Sequence, residues 1–160
     1  MNTDKQHTKF MQAAFDLAVE AEINGEVPVG AVVVCDGEII GRGFNQPISS
    51  NDCSAHAEIM ALREACQTQA NYRLTDCDIY VTLEPCAMCA GAIVHGRIRR
   101  IFYATPDPKT GACGSTVDLV SNNATGHRVE VVSGILAKQS QALIQAFFKR
   151  RRAEKKLNRR

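Results

Sequence analysis

Residues 78–95 read DIYVTLEPCAMCAGAIVH, from Asp78 to His95. Ile79, Val81 and Leu83 are apolar at alternate positions, so Asp78 to Leu83 is predicted as a central strand. Pro85 then suits the first position of a helix. Strands that lead into helices build α/β folds, here a mixed sheet with helices on both faces. On the predicted helix Cys86 and Cys89 stand three apart on one face, where both can reach one metal. The dipole and free N–H groups of a helix start also favour thiolate over thiol.

Upstream lies Ala55-His56-Ala57-Glu58. Ser54 is a plausible N-cap there, so a helix is expected over 55–69 with His56 and Glu58 in its first turn. Two helix starts are therefore expected to meet at one point. His56, Cys86 and Cys89 make a set of three nitrogen and sulfur ligands suited to zinc. Structural zinc is normally closed by four protein ligands, whereas catalytic zinc keeps three and leaves the fourth position to water. Zinc lowers the pKa of water towards neutrality. Glu58, a carboxylate beside the ligands, would then be free to move protons. A structural metal or a redox-active cysteine pair is the alternative reading of CxxC.

Working outward, Phe10, Ala14, Leu17, Ala18 and Ala21 recur at helical spacing over about 8–24, and Asn24-Gly25 ends that helix. Val29 to Cys35 reads as a strand, Asp36-Gly37 as a two-residue hairpin turn, and Glu38 to Asn45 as the returning strand. Residues 46–54 read as a loop. Beyond the opening stretch come a strand over 99–104, a Gly/Pro-rich loop over 105–115 and a helical turn near Val117 to Val120. A strand over 128–132 and a long last helix over 134–156 follow, with Ile135, Leu136, Leu143, Ile144 and Phe147 as its apolar side.

At 160 residues the chain fits one domain with a real core, and no repeat or linker divides it. No stretch is long and apolar enough to span a membrane, and Met1 to Phe10 lack the apolar core of a signal peptide. Seven cysteines, an odd number without secretory features, point to free thiols and a reducing cytoplasm. Residues 149–160 hold eight basic side chains and Glu154 alone, so this tail is +7 and the rest of a chain of net +2 is −5. A basic tail on a mildly acidic body suggests a polyanionic partner; a solubilising end is the plain alternative.

The segments PVGAVVV, HAEIMALREA, NYRL, YVTLEPCAMCAGAIVHGRI, PKTGACGS and HRVEVVSGIL resemble the bacterial tRNA-specific adenosine deaminases, from about Phe10 to Arg152. The H-x-E and P-C-x-x-C pair alone is shared by all cytidine-deaminase-like zinc enzymes. The resemblance implies a three-layer α/β/α cytidine-deaminase-like fold with a mixed five-stranded sheet. It implies one Zn2+ per subunit, a homodimer, and a tRNA anticodon stem-loop as partner. The implied reaction converts adenosine to inosine at the wobble position (34), typically in tRNA-Arg. His56, Cys86 and Cys89 match the zinc ligands, and Glu58 the catalytic proton shuttle. Asn45 matches a residue that reads the flipped-out base, and Val29 and Ala57 match pocket walls. Asp107 and Lys109 lie in the substrate-contacting loop. Phe148 and the run Arg150, Arg151, Arg152 match the RNA-facing end of the last helix.

Two other functions fit the same motifs. A deaminase of free cytosine, guanine or nucleosides would use the same zinc chemistry. A zinc-stabilised RNA-binding module would explain the basic tail but leave Glu58 idle.

Overall fold

The computed structural model describes residues 3–122 and 125–159; Arg160 of the basic tail lies outside them. Alternation along the strands sorts the core into two layers. In β1 (Gly30–Cys35), Ala31 and Val33 face one side of the sheet while Val32 and Val34 face the other. In β3 (Asp78–Leu83) and β4 (Arg100–Thr105), Ile79, Val81 and Ile101 join the first side, and Tyr80, Phe102 and Ala104 the second. With β2 (Glu38–Phe44) and β5 (Glu130–Ser133) the order is β2-β1-β3-β4-β5. β1 runs antiparallel to β2 and β3, while β3, β4 and β5 are parallel.

Helices α3 (Ala57–Gln69) and α4 (Ala87–His95) cover the first side with Ala61, Leu62, Ala65, Ala90, Ile93 and Val94. Helix α1 (Thr3–Ile23) covers the second with Phe10, Met11 and Ala14. The last helix, α5 (Ala137–Asn158), packs along β3, β4 and α1. A four-residue helix, α2 (Pro47–Ser50), interrupts the expected loop. The expected mixed five-stranded sheet between helical layers is the one observed.

Three local expectations need correction. Helix α1 begins at Thr3 rather than near residue 8, because tertiary contacts hold its first turns: His7 stacks on Phe102 at 4.5 Å and its Nδ1 lies 2.6 Å from the Tyr80 hydroxyl. Val117 to Val120 forms no helical turn. Asp118 instead takes hydrogen bonds from the Val120 and Ser121 amides and makes an isolated bridge with Cys113. Helix α5 starts at Ala137, after Leu136 in the left-handed region, so Ile135 and Leu136 pack on the second core side from outside the helix.

The approach of α3 to the sheet bears on function. A Cβ at Gly43 would lie 2.3 Å from the Ala57 carbonyl oxygen and 2.6 Å from the Ala61 amide nitrogen. With Gly43 beneath it and Ala57, Ala61 and Ala65 on its inner face, α3 sits against β2 at backbone contact. This fixes where α3 begins. Gly43→Ala should push α3 outward and cost about 2–3 kcal/mol, the scale of an overpacked core. Urea unfolding would report the loss, and zinc content of the purified variant should fall with it.

Candidate active site

Helices α3 and α4 both begin at the same place, and each begins with a side chain suited to metal. His56 is the N-cap of α3, with φ −72° and ψ 154°, and Cys86 the N-cap of α4, with φ −75° and ψ 177°. Neither makes a capping hydrogen bond to its own helix. The expected roles of Ser54 and Pro85 are thereby corrected. Ser54 donates from both its amide and its hydroxyl to Asp52 Oδ1, so Asp52 caps a local turn there instead. Pro85 lies ahead of the helix, and its carbonyl accepts the Ala112 amide at 2.8 Å.

The three ligand atoms of His56, Cys86 and Cys89 lie within 4.8 Å of one another. Cys86 Sγ is 3.6 Å and Cys89 Sγ 3.5 Å from His56 Nδ1. Zinc–sulfur bonds of about 2.3 Å and zinc–nitrogen bonds of about 2.0 Å at tetrahedral angles require sulfur–nitrogen edges of about 3.5 Å. The donor set therefore fits zinc in both chemistry and spacing. Hydrogen bonding from Cys89, then from His56, holds the Cys86 thiol down at about 4 despite its burial. Cys89, the donor of that sulfur pair, is pushed up. Cys86 stands at the positive end of α4, which favours thiolate, and zinc binding would take both sulfurs as thiolates.

Glu58, in the first turn of α3, is 4% exposed. Burial pushes its carboxyl up to about 7. A carboxyl poised there can both accept and return a proton near neutral pH. It lines a cavity of about 800 Å³ together with His56, Cys86, Val29 and Asn45. Asn45, at the end of β2, accepts the Ala57 amide hydrogen at 2.8 Å. Its oxygen holds the start of α3, and its NH2 remains a donor at the cavity. Ala57 itself is buried behind this contact.

The far wall of the cavity is the loop after β4, with Pro106, Asp107 and Lys109, and the outer wall is α5, with Ile144, Phe148 and Arg152. The structure divides the expected arginine run. Arg152 reaches the cavity, while Arg150 pairs with Glu22 at 3.9 Å and Arg151 hydrogen-bonds the Gly25 carbonyl. Asp107 is turned onto its own loop, accepting from the Lys109 and Thr110 amides and the Thr110 hydroxyl. Cys113, in the same loop, is buried with its thiol pushed up to about 12, an unreactive setting.

Two buried carboxylates that sequence reasoning passed over hold these walls. Glu84 accepts the amides of Asp107, Cys113 and Ser115 at 3.0–3.1 Å and also the Ser115 hydroxyl. Gly111 belongs to this arrangement, since a Cβ there would meet Glu84 Cδ at 2.4 Å. Glu26 accepts the amides of Ile48 and Ser49, fixing the segment that follows Asn45. The available signal was an acidic residue directly after an apolar strand at Glu84, and just past the Asn24-Gly25 helix stop at Glu26.

Residues 4–105 match the family described as the cytidine and deoxycytidylate deaminase zinc-binding region. The tRNA-specific adenosine deaminase of Haemophilus influenzae is 49% identical over 93% of this chain and 87% of its own length. That of Bacillus subtilis is 41% identical over 94% of both chains. The chain belongs to the tRNA-specific adenosine deaminase family. Among solved structures, one from biochemical and structural studies of A-to-I editing by tRNA:A34 deaminases superposes with a TM-score of 0.82 at 45% identity, over 85% of this chain and 99% of that one. A Bacillus subtilis guanine deaminase superposes less closely, with a TM-score of 0.61 at 36% identity over 78% of this chain and 88% of that one. Membership in the deaminase family agrees with the zinc-ready ligand set.

Glu84→Ala removes the acceptor shared by four donors, and should cost about 3 kcal/mol on the scale of hydrogen bonds to a buried charge. Hydrogen exchange should accelerate at the Cys113 and Ser115 amides while the β1 amides stay protected. Unchanged protection at those two amides would mean that Glu84 does not hold the loop.

Proposed function

We propose that this chain hydrolyses adenosine to inosine at the wobble position (34) of tRNA anticodons, typically that of tRNA-Arg. We place it in the cytoplasm as a homodimer with one zinc ion per subunit. The observation that carries this reading is Glu58, a buried carboxyl lining a cavity beside the His56, Cys86 and Cys89 group that could hold zinc. Among the described residues no helix is long and apolar enough to cross a membrane.

His56, Cys86 and Cys89 would hold the metal. When bound there, zinc acidifies water and so supplies the nucleophile for C6 of adenine. Glu58 takes the proton that water gives up and delivers it to N1 of the ring. It then carries the second proton to the exocyclic nitrogen, which leaves as ammonia. The sum is adenine plus water to hypoxanthine plus ammonia. Asn45 orients the base through its NH2, and Val29 packs against the base as an apolar wall. The target must leave its stack to enter, and a single-stranded loop presents such bases at modest cost. The rim residues Lys109 and Arg152 favour a polyanion over a free base, which would leave them unused.

Glu58→Ala should keep its zinc by elemental analysis, because all three ligands remain. Its turnover should fall about 10³-fold, within the range for loss of general acid–base catalysis. Turnover is read by sequencing treated tRNA-Arg for A read as G at the first anticodon position. Parallel incubations with guanine, cytosine and free nucleosides test the alternative substrates. Product from these and none from tRNA would reject the RNA reading while keeping the chemistry.

A further inference from the structure

The arginine run Arg150 to Arg152 splits because α5 is held at one rotational setting. Phe147 is buried. Arg151 and Arg150 lie over its ring, at 4.9 and 5.6 Å from the centroid. From there they grip the end of α1 at the Gly25 carbonyl and Glu22. A cation at a helix C-terminus is favourably placed. These contacts form a latch that fixes which face of α5 turns to the cavity.

The cavity face of α5 is Gln141, Ile144, Gln145, Phe148 and Arg152. At 3.6 residues per turn, these lie about 60–160° round the axis from Phe147. Lys155 and Arg159 fall at about 80° and 120°, on the same face, and Lys156 at about 180°, at its edge. Glu154, the one acid of the segment, falls within about 20° of Phe147, on the latch side. Residues 153–159 are all exposed. The ion pairs among the described residues use Arg63, Arg99, Arg100 and Arg150, and none uses Arg152, Lys155, Lys156 or Arg159.

We infer that the cavity-facing stripe of α5 continues past the cavity as a cationic rail, Arg152, Lys155, Lys156 and Arg159, that holds backbone phosphates of the double-stranded stem flanking the target loop. The inference rests on the proposed RNA substrate. The rail starts at the mouth of the cavity, where the loop enters, and leads away from it. It therefore meets the nucleotides next to the loop, not the target base. From Arg152 to Arg159 it is about 10 Å long, enough to meet more than one phosphate of a duplex strand. Its charge complements phosphate, and the neighbouring acid is turned away.

The test measures binding of two RNA hairpins with one loop and either a two-pair or an eight-pair stem, across a salt series. The protein is the zinc-loaded full chain, as wild type, as K155Q/K156Q/R159Q, and as Glu154→Gln. The triple variant should bind the long-stem hairpin at least 10-fold more weakly. Its slope of log affinity against log salt should drop by about 2–3, at roughly 0.9 per lost phosphate contact. The short-stem hairpin should lose no more than about twofold, and Glu154→Gln should not flatten the slope. Equal losses on both hairpins, or none on either, would overturn the rail. A shift in oligomeric state with RNA affinity intact would also overturn it and assign the stripe to a second copy of the chain. The readout is binding, so it separates from the reaction: stem-dependent binding without inosine would reject the proposed reaction and keep the rail.

Discussion

Backbone contact between α3 and β2 is the constraint on which the site depends. The candidate metal ligands are the N-caps of two helices and Cys89 in the first turn of one of them, so their positions follow those helices' starts. Alanines on α3 over glycines on β2 allow an approach that any larger side chain would block. Little apolar area is gained there compared with leucine packing. What is gained is a start point with no slack, and a zinc site needs exactness more than it needs burial. Asn45, at the end of the glycine-bearing strand, ties its side chain to the Ala57 amide and completes the link from sheet edge to helix start.

The walls of the cavity are held differently. They are loops, and loops carry backbone N–H groups that no ladder satisfies. Glu84 and Glu26 answer this with carboxylates sunk into the protein, each serving several amides at once. A charged acceptor with several donors is stronger than the same number of separate neutral bonds. It also makes the loop shape depend on one side chain. The walls can therefore be shaped without apolar packing, and polar groups such as Lys109 stay available to solvent and ligand.

Much of this was legible in the sequence. The sheet followed from alternation in Ile79–Leu83 and from the apolar run Val29–Cys35 with its Asp36-Gly37 turn, and the zinc set from spacing that helix starts could bring together. What misled was reading capping residues by type. Ser54 and Pro85 are common helix openers, yet the helices open at His56 and Cys86, because the metal site uses the unsatisfied N–H end that an ordinary cap would cover. Glu84 and Glu26 were opaque for another reason. Their role lies in contacts with amides some 22–31 residues away, which no local period records. The early start of α1 is likewise a tertiary effect, set by His7 against Tyr80 and Phe102.

The arginine run shows where pattern ends and phase begins. In sequence, Arg150, Arg151 and Arg152 are equivalent, three cations in a basic tail. On a helix they point about 100° apart, so they cannot share one role once the helix is fixed. Phe147 supplies the fixing by being buried, and the two arginines nearest its direction are drawn to the carbonyl end of α1 and to Glu22. Their charge is then largely answered within the body. Arg152, a third of a turn further round, is left to the cavity. The same reasoning separates Glu154 from the lysines that follow it. A charge count over the tail gives its attraction for polyanions, but only the rotational setting of α5 says which of those charges a partner at the cavity could touch.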